Sequence, residues 1–280
     1  MKLEAFFSHY RKLTALPVVG SHPKFRGLDL TMFFIIAPLL VETVVFILTA
    51  LCITAGQPNN ITPSLLSDYY LVSVDTTNLQ AINASENHDG LPIHDYYKMY
   101  LTTQCSSNHD KSSKHYFNAT CSKPSNNAKF NLRKLISNDL ENDHDHPNFT
   151  KPDLTAIIPK GLQLDFESHN EHIHVAYGFY MAAVVWAGLG ILTRCLTLCD
   201  GTSDKTLFLF HYLTLGTFVF ISSVIVTVVA REGPQSIERY SDFLTANGGD
   251  KILALTWTAY AFCIVNTLLC ITGSFLGYVG

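Results

Sequence analysis

Four long runs along this chain are almost wholly apolar, and between them the pattern changes character. Thr31–Ala55 holds one charged residue, Glu42; Val175–Thr193 and Ile252–Val279 hold none; Thr206–Ala230 holds none either, but includes the histidine His211. A helix crosses a bilayer core of about 30 Å with roughly 20 apolar residues, and backbone inside hydrocarbon must satisfy its own hydrogen bonds. The runs therefore predict four membrane-spanning helices, at 30–55, 175–198, 206–230 and 252–280. They leave a polar segment at 1–29, a long loop at 56–174, a short bridge at 199–205 and a second loop at 231–251. The first run follows a charged segment and is too long for the core of a cleavable leader, so it reads as a signal-anchor.

The long loop has a shorter period. In "YYLVSVDTTNL" (Tyr69–Leu79), Tyr70, Val72 and Val74 alternate with Tyr69, Leu71 and Ser73, which predicts a strand. Asp75–Asn78 reads as the turn that ends it. "YYKMYLTTQC" (Tyr96–Cys105) is a second strand candidate, and "KGLQLDFES" (Lys160–Ser168), just before span two, is a third. "ENHDG" (Glu86–Gly90) and "SNDLENDHDHPNFTKPD" (Ser137–Asp153) are polar and turn-rich, and are expected to be exposed excursions. Residues 1–16 return to a helical period through Leu3, Phe6, Phe7, Tyr10 and Leu13. They suggest either a helix in the membrane interface, ended by Pro17, or a helix docking on the rest of the chain. The expected fold class is a membrane all-α four-helix bundle carrying a small extracellular β-sheet.

The overall charge of −4 and the 48% hydrophobic content say little until they are placed along the chain. Lys2, Arg11, Lys12, Lys24 and Arg26 precede span one, and Arg194 and Lys205 flank the bridge between spans two and three. Basic residues in short loops favour the cytoplasm, so both termini are expected inside and the long loop outside. The glycosylation triplets agree: Asn60, Asn83, Asn118 and Asn148 all fall within 56–174, although Pro63 and the nearby membrane weaken the case for Asn60. Of seven cysteines, only Cys105 and Cys121 lie in that loop. An even pair in an oxidising compartment reads as a disulfide, expected to pin the far side of the sheet; the alternative is two free thiols. Cys195 and Cys199, at the inner end of span two, suit either acylation or plain packing.

A charge near the middle of a span costs about 2.5–3.5 kcal/mol or more, so Glu42 should face the bundle interior. Asn266 lies at similar depth in span four and is a candidate hydrogen-bond partner. The carboxyl either fixes helix packing, or serves as a contact for another membrane protein or a proton-linked switch. Pro38, one turn away, would free a carbonyl and loosen that helix. Ala183/Ala187 and Gly273/Gly277 allow close helix approach, within one molecule or between two.

Enzyme constellations are missing from the sequence: there is no G-x-S-x-G, no H-E-x-x-H, no phosphate-cradling glycine loop and no C-x-x-C. Neither an enzymatic role nor a cofactor is expected. Histidine is concentrated in the long loop, with dense points at His144 and His146 and at His169, His172 and His174. Three readings stand side by side: an outer domain that changes charge with ambient pH, a metal site of imidazoles and carboxylates, or a polar loop that happens to be rich in histidine.

The layout of one large cystine-bearing outer loop and one short one is claudin-like. "YYLVSVDTTNL" resembles the segment that the fungal Sur/PalI family of claudin-like membrane proteins carries soon after span one, through Tyr70, Leu71, Asp75, Thr76 and Thr77. Cys105 and Cys121 match the family's cysteine pair, and "LALTWTAYAF" (Leu253–Phe262) resembles its span-four opening through Thr256, Trp257 and Ala259. The G-L-W signature of animal claudins is absent; "MYLTTQC" stands there instead. The resemblance implies a multi-pass protein of the fungal plasma membrane that organises membrane domains of the eisosome type, or links membrane to cell wall, endocytosis or stress response. Its association with ambient-pH signalling echoes the histidines. The expected partners are other membrane proteins, membrane lipids and the cell wall, and not nucleic acid. The alternative is an auxiliary subunit of a larger complex, such as a channel, a wall-polymer synthase or a pH sensor.

Overall fold

The structure is a computed structural model, and it describes residues 30–57, 66–79, 93–110, 115–126, 128–142, 158, 160–200, 205–241 and 243–275. The amphipathic pattern of 1–16, "ENHDG", the acceptors Asn60, Asn83 and Asn148, and His144 and His146 lie outside the described residues. Within them run helices α1 (Leu30–Thr54), α2 (Leu132–Asn142), α3 (Lys160–Asp200), α4 (Lys205–Tyr240) and α5 (Asp250–Phe275), and strands β1 (Val72–Asp75), β2 (Tyr96–Met99), β3 (Gln104–Asp110), β4 (His115–Cys121) and β5 (Thr245–Gly248).

Four of the helices are long and apolar enough to cross a membrane, over Ile36–Thr54, Gly161–Thr197, Thr206–Tyr240 and Asp250–Phe275. Their contacts close a ring in the order α1, α3, α4, α5 and back to α1, which sets α1 and α4 on a diagonal. The large apolar side chains turned outward, among them Leu40, Leu196, Phe210 and Leu268, are those a lipid-facing surface requires. Small and polar residues fill the interior: Ala183, Ala187, Ser222, Ser223 and Ala259 are buried, which lets backbones approach.

At one end of the bundle stands a five-stranded antiparallel sheet in the order β4-β3-β2-β1-β5. Strand β1 pairs Val72 with Met99 of β2 on one side and with Gly248 of the edge strand β5 on the other. The strand predicted from "YYLVSVDTTNL" is thus an interior strand of the sheet, between β2 and β5. Tyr96–Cys105 contains a β2–β3 hairpin rather than one strand, its turn closed by the Tyr100 N–H donating to the Thr103 carbonyl at 2.9 Å. Strand β5, in the short second loop, was not predicted.

Two expectations are corrected. Lys160–Ser168 is not a strand; it is the first part of α3, which runs unbroken for 41 residues. The alternation of Leu162, Leu164 and Phe166 suits a strand, but Leu164 is 65% exposed, while Leu162, Phe166, Ile173, Ala176 and Tyr180 form one buried helical stripe. The polar stretch from Ser137 is not all excursion either. Its start belongs to α2, which buries Leu132, Ile136 and Leu140 in the core under the sheet.

The sheet is fastened to the bundle at several points. Gly56 ends α1 in the left-handed region, at φ 74°, a conformation glycine adopts without steric cost. The hairpin turn then covers the helix end: Thr102 Oγ1 donates to the Ile53 carbonyl at 3.2 Å and Thr103 Oγ1 to the Gly56 carbonyl at 3.0 Å. These bonds satisfy carbonyls that a helix end leaves without partners. Helix α4 packs against both β1 and β5. Asn170 of α3 clamps the chain before α2, accepting from the Phe130 N–H at 2.8 Å and donating to its carbonyl at 3.1 Å.

Candidate functional site

Two groups of residues hold chemistry that the fold brings together. The first is the sheet platform with its motif. Leu71 is buried, its N–H donating to the Met99 carbonyl at 2.7 Å and its carbonyl accepting from Gly249 at 3.0 Å. Asp75 Oδ1 accepts from both the N–H and the Oγ1 of Thr77, at 2.9 and 2.7 Å. That cap starts the helical turn at Thr77–Leu79. Thr76, fully buried, donates its hydroxyl to the His94 and Asp95 carbonyls. The motif therefore shapes the exit from β1, with Asp75 Oδ1 and the Thr76 and Thr77 hydroxyls bonded within the protein.

Cys105 and Cys121 are joined as a disulfide, opposite one another on β3 and β4. The bond does not pin the far side of the sheet as expected. Cys105 packs with Ala55 and Tyr100, and its sulfur lies 3.6 Å from the Gly56 carbonyl, so the crosslink sits against the end of α1. Tyr97, under the sheet, donates its hydroxyl to Asp139 Oδ2 of α2, and His94 Nδ1 meets the same oxygen at 2.7 Å. Burial, first, and then the Asp139 carboxylate push the Tyr97 phenol well above its usual range. Lys98 of β2 is 3% exposed; burial pushes its ammonium down to about 8 from 10.5, with Lys251 adding to the fall and Asp68 opposing it.

The second group lies inside the bundle. Glu42 of α1 is fully buried and its Oε1 meets His211 Nε2 of α4 at 2.7 Å. The Tyr212 hydroxyl donates to its other oxygen at 3.5 Å. Trp186 of α3 stacks on the His211 ring at 5.6 Å and donates its indole N–H to the His211 carbonyl at 3.2 Å. Arg194 of α3 lies 4.6 Å from the Phe208 ring and 5.1 Å from the Tyr212 ring. Gly190 makes the diagonal contact possible: a Cβ there would fall 2.1 Å from Glu42 Oε1 and 2.2 Å from His211 Nε2. The expected Glu42–Asn266 bond is not formed. Asn266 is buried with neither amide atom partnered, because the carboxylate is drawn to a basic ring on the opposite helix.

Those remaining expected residues that the structure describes do not assemble into one site. Trp257 lies on α5, its indole N–H donating to Thr227 Oγ1 at 3.0 Å, beside Phe220 and Tyr260. Asn118 is on the edge strand β4. His169 is buried, whereas His172 and His174 are exposed on the same helix, His174 facing the Asn126 carbonyl at 2.8 Å. Among the described residues no group of three or more histidine, cysteine or carboxylate side chains is placed to hold a metal ion. Sequence reasoning missed His211, Tyr212, Trp186, Arg194 and Gly190. The available signal was the histidine in span three, since a buried carboxylate needs a basic or hydrogen-bonding partner.

The sequence pattern of a family described as SUR7/PalI covers residues 34–269, which takes in the whole sheet, α3 and α4, and most of α1 and α5. No curated protein matches the chain.

Proposed function

Because this chain belongs to the SUR7/PalI family, we propose that it is a plasma-membrane organiser that gathers partners laterally and at the cell surface, with the sheet outside and both termini in the cytoplasm. The observation that carries this reading is the continuity between sheet and bundle. The α1 end is hydrogen-bonded to the β2–β3 turn, the disulfide lies against Gly56, and α4 packs on β1 and β5. A ligand, wall polymer or neighbouring protein that engages the sheet thereby loads the helices directly. The interior supports the same role: Glu42, His211, Tyr212 and Trp186 tie α1, α3 and α4 together, as expected of a rigid scaffold. SUR7/PalI is not a known enzyme family, which favours binding over catalysis.

Mild-detergent purification from native membranes, followed by mass spectrometry and imaging of the tagged protein, tests the proposal. An organiser yields self-associated patches with several substoichiometric partners. Recovery at fixed stoichiometry with one large polytopic protein would replace it with the auxiliary-subunit reading.

A further inference from the structure

Where α3 and α4 rise beyond their apolar stretches, they enclose a polar cleft of about 390 Å³. Asp165, Ser168 and His169 line it from α3, and Glu232, Ser236 and Arg239 from α4. His169 is 93% buried (7% exposed), and its Nδ1 has no hydrogen-bond partner. A buried polar nitrogen without a partner costs free energy; a ligand that supplies the missing bond would recover it.

The lining restricts the ligand's chemistry. Two carboxylates, a hydroxyl pair, an imidazole and the Gln235 amide offer acceptors, and a single guanidinium offers a strong anion-binding fork. No phenylalanine, tyrosine or tryptophan lines it. Quaternary ammonium groups are held by aromatic faces, whereas a primary ammonium carries three N–H donors that need acceptors. Height restricts it further. Glu232 stands two residues past Ala230, and His169 and Asp165 stand six and ten residues before Val175. At 1.5 Å per residue the cleft runs from roughly 3 to 15 Å beyond the apolar stretches, which takes in the headgroup layer.

We infer that this cleft binds a small zwitterion bearing a primary ammonium and an adjacent anionic group, of the phosphoethanolamine type. The ammonium is held by Asp165, Glu232 and the free nitrogen of His169, and the anion by Arg239. Two sources share that chemistry: the headgroup of a lipid in the leaflet on the sheet side, and a free solute.

The test uses the full chain in nanodiscs of phosphatidylcholine alone, titrated calorimetrically with O-phosphoethanolamine and, separately, with O-phosphocholine. The expected result is saturable binding of the first at least about tenfold tighter than of the second, weakened about tenfold or more in both Asp165→Asn and Glu232→Gln and unchanged in Glu238→Gln, which lies outside the cleft. These carboxylates are not core residues, so folding is retained, and an unchanged thermal midpoint checks it. Nanodiscs containing phosphatidylethanolamine then identify the source. If they abolish the titration, the natural ligand is the lipid headgroup; if they leave it intact, it is a soluble zwitterion. Equal affinity for the two headgroup analogues, no binding, or the same loss in Glu238→Gln as in the cleft variants would overturn the inference.

Discussion

Glu42 and His211 meet at 2.7 Å across the diagonal of the helix ring, at the level where the intervening helix carries Gly190. Neither neighbouring helix supplies the partner. The contact exists because one helix between them lacks a side chain at that point. Gly190→Ala should therefore separate the pair and lower stability by about 1–3 kcal/mol, the usual range for overpacking. Gly178→Ala on the same helix meets nothing within 4 Å, and should be neutral or gain up to ~1 kcal/mol from reduced backbone freedom. Thermal midpoints of both variants in one detergent decide the matter; equal midpoints would refute the packing argument.

The pair itself should show strong coupling. His211→Ala leaves a buried carboxylate facing a void, and breaking such a pair from one side costs about 3–5 kcal/mol. Replacing both members, as in Glu42→Leu with His211→Phe, removes both hydrogen-bonding groups together and should cost much less than the sum of the single changes. A double-mutant cycle read by denaturant or thermal unfolding gives the coupling. Additive losses would show that the two side chains do not act as a unit.

Lys98 makes a prediction with a defined pH window. Its ammonium in the folded sheet loses its proton near 8, below the 10.5 of an unburied lysine. Between those values the unfolded chain binds more protons than the folded one, so stability rises with pH across about 8 to 10.5 and carries the full penalty below 8. Lys98→Met should remove that rise and stabilise the sheet at neutral pH by roughly 1–2 kcal/mol once solvent screening is allowed for. Unfolding midpoints at pH 7 and pH 10 for both proteins test it; a parent protein no more stable at pH 10 would contradict the assignment.

The four spans and strand β1 were legible in the sequence because length, apolarity and strict alternation are local properties. Val72–Asp75 needed no knowledge of its neighbours, whereas β5 did. Thr245–Gly248 has little strand preference of its own and becomes a strand because β1 offers an unpaired edge to it. Lys160–Ser168 failed for the opposite reason. Its period-two alternation was real, but the helix that follows it propagates backward over a buried stripe visible only across 20 residues. The interior site was half legible: Glu42 announced that a partner was needed, yet the choice of His211 over Asn266 depends on which helices stand on the diagonal, a fact no single segment contains.

Sidedness is the expectation on which the surface role turns, and it has a direct test. Asn118 lies on β4, whose outer edge ends the sheet; Asn60, Asn83 and Asn148 belong to the same long loop. If the sheet faces the secretory lumen during synthesis, enzymatic deglycosylation of protein from its native cells will raise gel mobility. Replacing Asn83, Asn118 and Asn148 by Gln should remove most of that shift, and replacing Asn60 should add little, since the membrane and Pro63 hinder its modification. The disulfide supplies an independent reading of the same compartment. Cys105 and Cys121 stay crosslinked only where oxidation persists, so a maleimide reagent should label them after reduction and not before. Mobility unaffected by deglycosylation, together with free Cys105 thiols before reduction, would place the sheet in the cytoplasm and end the cell-surface proposal.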